Sequence, residues 1–247
     1  MTRSLLSRLP DILACAAVRS SEAMHTLGLR PGQCFHRLGA VNDVSAAPKR
    51  QFHVSDDIAA LLGMLAGQQP FSCMRQELGL LWLSTQPVSD GMGEQQVSAK
   101  RDATLLSDFS HRLLLARELL SRSALVVVEC TPGLEEGVAL VMQTVFGQQP
   151  HWAKLDECPH APPVLLCTVG ATERTWPARC SPSHGNRSSL VHWLSDAPLS
   201  GRAALALGPT LGLSEMWRAW HGRWVVTHVD PLMLAQLELQ SADLREA

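Results

Sequence analysis

ALVVVECTPGLEEGVALVMQTVF, Ala124–Phe146, is the stretch that decides the fold. Its first five residues are apolar and mostly β-branched, as in a strand buried on both faces of a sheet. Glu129-Cys130-Thr131-Pro132-Gly133-Leu134 follows as a Pro/Gly loop. Glu135 and Glu136 suit the first turn of a helix, where the dipole favours anions, and Val138–Phe146 then runs apolar. A strand, a short loop and a helix in this order predict an open α/β sheet. A second exit of the same kind comes late in the chain, where Trp224–Thr227 empties into His228-Val229-Asp230-Pro231. Ligands of open α/β sheets sit beyond the carboxyl ends of strands, so these two loops are candidate site positions.

Outward from there, apolar runs predict strands at Leu78–Leu83, Pro163–Val169 and Ala203–Leu207. Leu105, Leu106, Phe109, Leu113, Ala116 and Leu120 share one face of an amphipathic helix. Ser55 suits an N-cap for a shorter helix carrying Ile58, Leu61, Leu62 and Leu65. Near the front, Pro10 fits a first helical turn, and Leu9, Leu13, Ala16, Ser20, Ala23 and Leu27 form a narrow stripe closed by Gly28. That stripe suits either docking on a partner or packing on the chain's own core. Asn42–Gln51 is polar and reads as a linker. Alternating strands and helices predict a three-layer α/β fold with a mostly parallel sheet and a helical N-terminal segment. Three stretches follow: residues 1–44 as an amphipathic docking segment, 45–120 as a helix/strand region that could complete the fold, and 121–247 as the α/β domain.

Composition narrows the function. With 46% hydrophobic and 18% charged residues, the 247-residue chain can bury a core. A net charge of −2 argues against a generally basic, nucleic-acid-coating surface. Residues 1–50 carry seven Lys/Arg against three Asp/Glu, so the front is mildly basic. The seven cysteines include no CxxC pair, no signal-peptide pattern opens the chain, and no apolar run approaches the ~20 residues of a membrane span. A cytoplasmic protein with no membrane contact is expected. Cys158, His160, Cys167, Cys180 and His184 match no zinc spacing, so no metal is expected. Trp217 and Trp220, beside Arg218 and Arg223, suit covering the sheet better than stacking on bases. There is no GxxxxGK[ST], strand-linked GxGxxG or GxSxG.

Three stretches in order, LVVVECTPGLEEG, GRAALALG and HGRWVVTHVDPLML, resemble the uracil-DNA glycosylase superfamily. The resemblance implies a sheet of that type and a first loop whose acidic or amide side chain activates water. It also implies a second loop with a His-Pro pair. Aligned on Pro132 and Pro231, those positions become Cys130 and Asp230, with Glu129 one residue early and His228 two residues off. A carboxylate facing a developing base anion opposes stabilisation. If the chain is an enzyme, Glu129, Cys130, His228 and Asp230 are its candidate catalytic residues. Cys130 could also act as a nucleophile at a helix N-terminus.

Within that superfamily, Ser20–Val41, Ala124–Gln149 and Val229–Ala247 resemble the psi-subunit family of the bacterial DNA polymerase III clamp-loader assembly. This resemblance implies a non-catalytic accessory subunit of DNA replication without a cofactor. Its partners would be clamp-loader subunits and chi, which links to single-strand binding protein and, indirectly, to DNA. Met24, Leu27, Leu29, Arg30, Phe35 and Arg37 would form the clamp-loader contact. A base-excision glycosylase and an interaction module of another multiprotein assembly are the alternatives.

Overall fold

The computed structural model describes residues 3–28, 51–52, 57–67, 75–85, 99–154, 163–169, 203–208 and 223–226. In chain order these form α1 (Arg3–Ser7), α2 (Leu9–Thr26), β1 (Gln51–Phe52), α3 (Asp57–Ala66), β2 (Leu78–Ser84) and α4 (Ala99–Arg117). Then come β3 (Leu120–Glu129), α5 (Glu135–Phe146), β4 (His151–Lys154), β5 (Pro163–Thr168), β6 (Ala203–Leu207) and β7 (Arg223–Val226). All strands join one seven-stranded sheet in the order β1-β7-β6-β2-β3-β5-β4.

The sheet is mixed, which corrects the mostly parallel expectation. β1, β7, β6, β2 and β3 run parallel. β5 is antiparallel to both β3 and β4. The reason is chain length: only residues 155–162 separate β4 from β5. A parallel return needs a crossover of a dozen or more residues, so the strand can only turn back. β4 itself, His151-Trp-Ala-Lys, and the two-residue β1 were not foreseen, and β1 overlaps the segment expected to be a linker.

Both faces of the central strands are buried. Leu81, Leu83, Val126, Val128, Leu205 and Leu207 join the helices in one core. Their alternates Leu80, Trp82, Leu125, Val127, Ala204 and Ala206 face the other way and are equally covered. This explains the unbroken apolar runs in β2 and β3, since a sheet covered on both faces has no polar alternation. β2, from the middle of the chain, is the centre of the sheet.

α4 is the hub of the helix layer and meets α1, α2, α3 and α5. Phe109, Leu113 and Ala116 bury its apolar seam completely. α2 lies along it with Leu9, Ile12, Ala16, Ser20 and Met24 buried. Each buried Leu, Ile or Met contributes about 1.5–3 kcal/mol of transfer free energy. The stripe of α2 is therefore spent on this chain's own core. Polar contacts fix its register: Arg19 Nη1 reaches Asp108 Oδ1 at 3.0 Å, and His111 Nδ1 is 2.8 Å from Ser20 Oγ. Ser20 uses its proton on the Ala16 carbonyl at 2.8 Å, so the His111 ring N–H donates to the hydroxyl.

Candidate functional site

The strand order locates the site. From β2 the chain crosses to β3 on one side, and from β6 it crosses to β7 on the other. The crossovers diverge between β6 and β2, and ligand crevices of open α/β sheets lie at such a switch point, outside the carboxyl ends. Ser84 and Thr85 leave β2 there, Gly208 leaves β6, and Glu129-Cys130-Thr131 leaves β3.

Gly208 has φ +82°, a left-handed conformation that side chains strain to adopt. A Cβ on it would lie 3.5 Å from Ser84 Cβ and 3.5 Å from Arg112 Nη1. The guanidinium belongs to α4 and is 11% exposed. Its Nη1 donates to Asp57 Oδ2 at 2.8 Å, and its Nη2 donates to the Ser84 carbonyl at 3.1 Å. Asp57 begins α3, where a carboxylate also meets the helix dipole. One side chain thus bonds the exit of β2 and the start of α3, and it occupies the space that a side chain at the turn after β6 would enter.

On the sheet face turned away from the described helices, Trp82 and Glu129 are joined across β2 and β3. Register places Ser84 opposite Glu129 and Trp82 opposite Val127. Trp82 and Glu129 are therefore diagonal neighbours, within reach of a long side chain. The indole Nε1 donates to Glu129 Oε1 at 2.6 Å, and Glu129 is fully buried. Past the strand ends, the Thr85 amide donates to the Glu129 carbonyl at 3.0 Å. The Thr131 amide donates to Thr85 Oγ1 at 2.6 Å. The loops after β2 and β3 are hydrogen-bonded into one unit.

Glu129 and Cys130 lie together at this end of β3. Cys130 is fully buried, and burial first, then Glu135 and Glu129, push its thiol well above the usual range. The fully buried side chain is packed as part of the core. Burial likewise pushes Cys167 up to about 11. His228 and Asp230 lie outside the described residues. Of the docking candidates, Met24 is 6% exposed in the core, and Leu27 is half-buried against it. Leu29, Arg30, Phe35 and Arg37 lie outside the described residues. Among the described residues no cluster of His, Cys, Asp and Glu could hold a metal. An open groove lined by Leu140, Gln143 and Trp152 lies between α5 and β4, three strands from the switch point.

Sequence reasoning missed Asp57, Trp82, Ser84, Arg112 and Gly208. For Arg112 a signal existed, because Leu105, Phe109, Arg112 and Ala116 follow the i, i+4, i+7, i+11 spacing of a helix seam. A charge on such a seam calls for a buried partner.

No protein-family model matches the sequence, and no curated protein matches it. Solved structures do. M1.HpyAVI is similar at 8% identity and TM-score 0.49, over 78% of this chain and 98% of that one. TTHA0409 of Thermus thermophilus, a proposed DNA modification methylase, is similar at 14% identity and TM-score 0.48, over 76% and 92%. PvuII DNA methyltransferase, cytosine-N4-specific, is similar at 9% identity and TM-score 0.44, over 76% and 86%. These structures are neither glycosylases nor polymerase accessory subunits. On that finding the resemblance to both families is corrected, together with the non-catalytic replication role and the base-excision alternative it implied. The mixed sheet independently corrects the architecture that came with it. Among the described residues no helix is long and apolar enough to cross a membrane.

Proposed function

We propose that this chain binds a nucleoside-bearing small molecule in the crevice beyond the carboxyl ends of β6 and β2, as the cofactor site of an enzyme. The observation that carries the reading is the switch point itself, with crossovers diverging between two adjacent parallel strands. Two features of the chain fit a nucleoside there. Gly208 leaves β6 at positive φ, the kind of turn that lets backbone approach a ligand. In sequence, Asp230 follows Gly208 by 22 residues and comes four residues after the end of β7, the parallel neighbour of β6. An acid at that spacing suits a pair of ribose hydroxyls. The same residue that opposes a glycosylase's anion thus acquires a use. The chain's three described cysteines, Cys15, Cys130 and Cys167, are free thiols, which fits a reducing, cytoplasmic compartment.

The test is binding by the full chain, read by calorimetry and by thermal shift. S-adenosyl-L-methionine, carried by M1.HpyAVI in one of its structures, is the first probe, with ATP, NAD and adenosine beside it. The structural likeness sets only this choice of probe. At one hundred times Kd a ligand stabilises by about 2.7 kcal/mol, so Tm should rise by roughly 5–11 °C in a chain of this size. Asp230→Ala should weaken the binding. No saturable binding by any of the four probes would overturn the reading.

A further inference from the structure

We propose that Arg112 is the positioning residue of this crevice, holding the exit of β2, the first turn of α3 and the turn after β6 in one fixed arrangement. The inference rests on the ligand-site reading above and deepens it. Three segments border the switch point, and each comes from a different crossover. A single guanidinium bonds two of them, with 2.8 Å to Asp57 and 3.1 Å to the Ser84 carbonyl. Its Nη1 stands 3.5 Å from where a side chain on Gly208 would begin, so it closes the space beside the third. A planar fork presents two separate nitrogens to two acceptors in fixed directions, whereas an ammonium presents all its donors from one nitrogen on a flexible stem. Both partners are nearly closed to solvent, at 11% for Arg112 and 6% for Asp57.

Stability alone does not require such a pair. A buried ion pair is often matched or exceeded in stability by apolar residues of similar size, because desolvation consumes much of the attraction. What apolar residues cannot do is hold the β2 carbonyl and the α3 carboxylate in set directions. Sites bind tightly when their walls are in place before the ligand arrives. The position of the pair, at the only switch point among the described strands, is where that property has value.

Three proteins test this: wild type, Arg112→Lys, and the double variant Asp57→Leu/Arg112→Met. Thermal unfolding is followed by circular dichroism, and affinity for S-adenosyl-L-methionine by calorimetry. The double variant should unfold within a few degrees of wild type and bind at least tenfold more weakly. Arg112→Lys keeps the charge against Asp57 but loses the second directed bond, and should fall between the two. A double variant with native Tm and native Kd would overturn the proposal and leave the pair a purely structural one. If the double variant does not fold, Arg112→Lys decides alone: affinity unchanged at native Tm overturns the proposal, and a loss of threefold or more supports it. Wild type that binds none of the nucleoside probes would instead remove the site itself, and this inference with it.

Discussion

Replacing Trp82 by Phe tests whether the indole–carboxyl contact holds β2 and β3 together at the site. Trp82 is 2% exposed and Glu129 fully buried, and the bond between them is 2.6 Å. The variant loses one hydrogen bond to a buried carboxyl group, about 1–3 kcal/mol. The smaller ring also surrenders apolar contact, roughly 1–2 kcal/mol. The combined loss is then about 2–5 kcal/mol, a fall in Tm of roughly 4–20 °C for a chain of this length. Glu129→Leu removes the acceptor and leaves the indole N–H buried, at about 1–3 kcal/mol. The double variant removes both partners and should cost less than the sum by at least about 1 kcal/mol, since neither group is then left without the other. Other contacts of Glu129 cancel in the cycle. Urea unfolding followed by far-UV circular dichroism supplies all four free energies. Effects of the two single variants that add to within about 0.5 kcal/mol would show that the contact contributes nothing of its own.

Three further outcomes are expected. Burial above all, with help from Arg19 and Arg112 and against Asp108 and the Ala16 carbonyl, holds the His111 imidazole below its ordinary value of 6.5. The unfolded chain therefore takes up that proton first, and its contribution, complete above about pH 6.5, is lost as pH falls further. Tm measured from neutral to mildly acid pH should drop more steeply in wild type than in His111→Gln, and equal slopes would refute this. Gly147 caps α5 at φ +71° with open space around it. Gly147→Ala should therefore cost about 1 kcal/mol through backbone strain, and Gly147→Asn less, by urea unfolding. Native protein treated with iodoacetamide should be labelled at exposed Cys15 and spared at buried Cys130 and Cys167, as read by peptide mass spectrometry.

The elements were largely legible because burial writes itself into apolar runs. Leu78–Leu83 and Ala203–Leu207 were found nearly to the residue, and Ala124–Val128 lies inside a longer strand. Strand direction was not legible from those runs, since an apolar pentapeptide looks alike in a parallel or an antiparallel ladder. The length of 155–162 was the usable clue. The family resemblance failed for a related reason. A strand, a Pro/Gly loop and a helix recur wherever an open α/β sheet is built, so the pattern carries an architecture and not a lineage. The site was half legible. Glu129 and the loop after it stood at a strand exit, whereas Arg112 and Asp57 are far apart in sequence and meet only through the packing of α4 on α3.

The buried polar contacts around β2 have a common logic. Ser84 and Thr85 end the central strand, and each is tied to a neighbour by a hydrogen bond at its backbone. From the helix layer Arg112 takes the Ser84 carbonyl, while beyond the strand end the Glu129 carbonyl takes the Thr85 amide. On the opposite face Trp82 holds the Glu129 side chain two residues earlier. Parallel strands at a switch point lose the regular ladder where their connections part, and backbone groups there need other partners if they are to stay buried. A fold could meet that need with water or with short loops left open to solvent. Here the Arg112 guanidinium meets it at the Ser84 carbonyl and the Glu129 carbonyl at the Thr85 amide, while Trp82 ties the Glu129 side chain on the other face. The exit of β2 is thereby held on two sides by groups that are themselves packed, which is the support a rigid binding site requires.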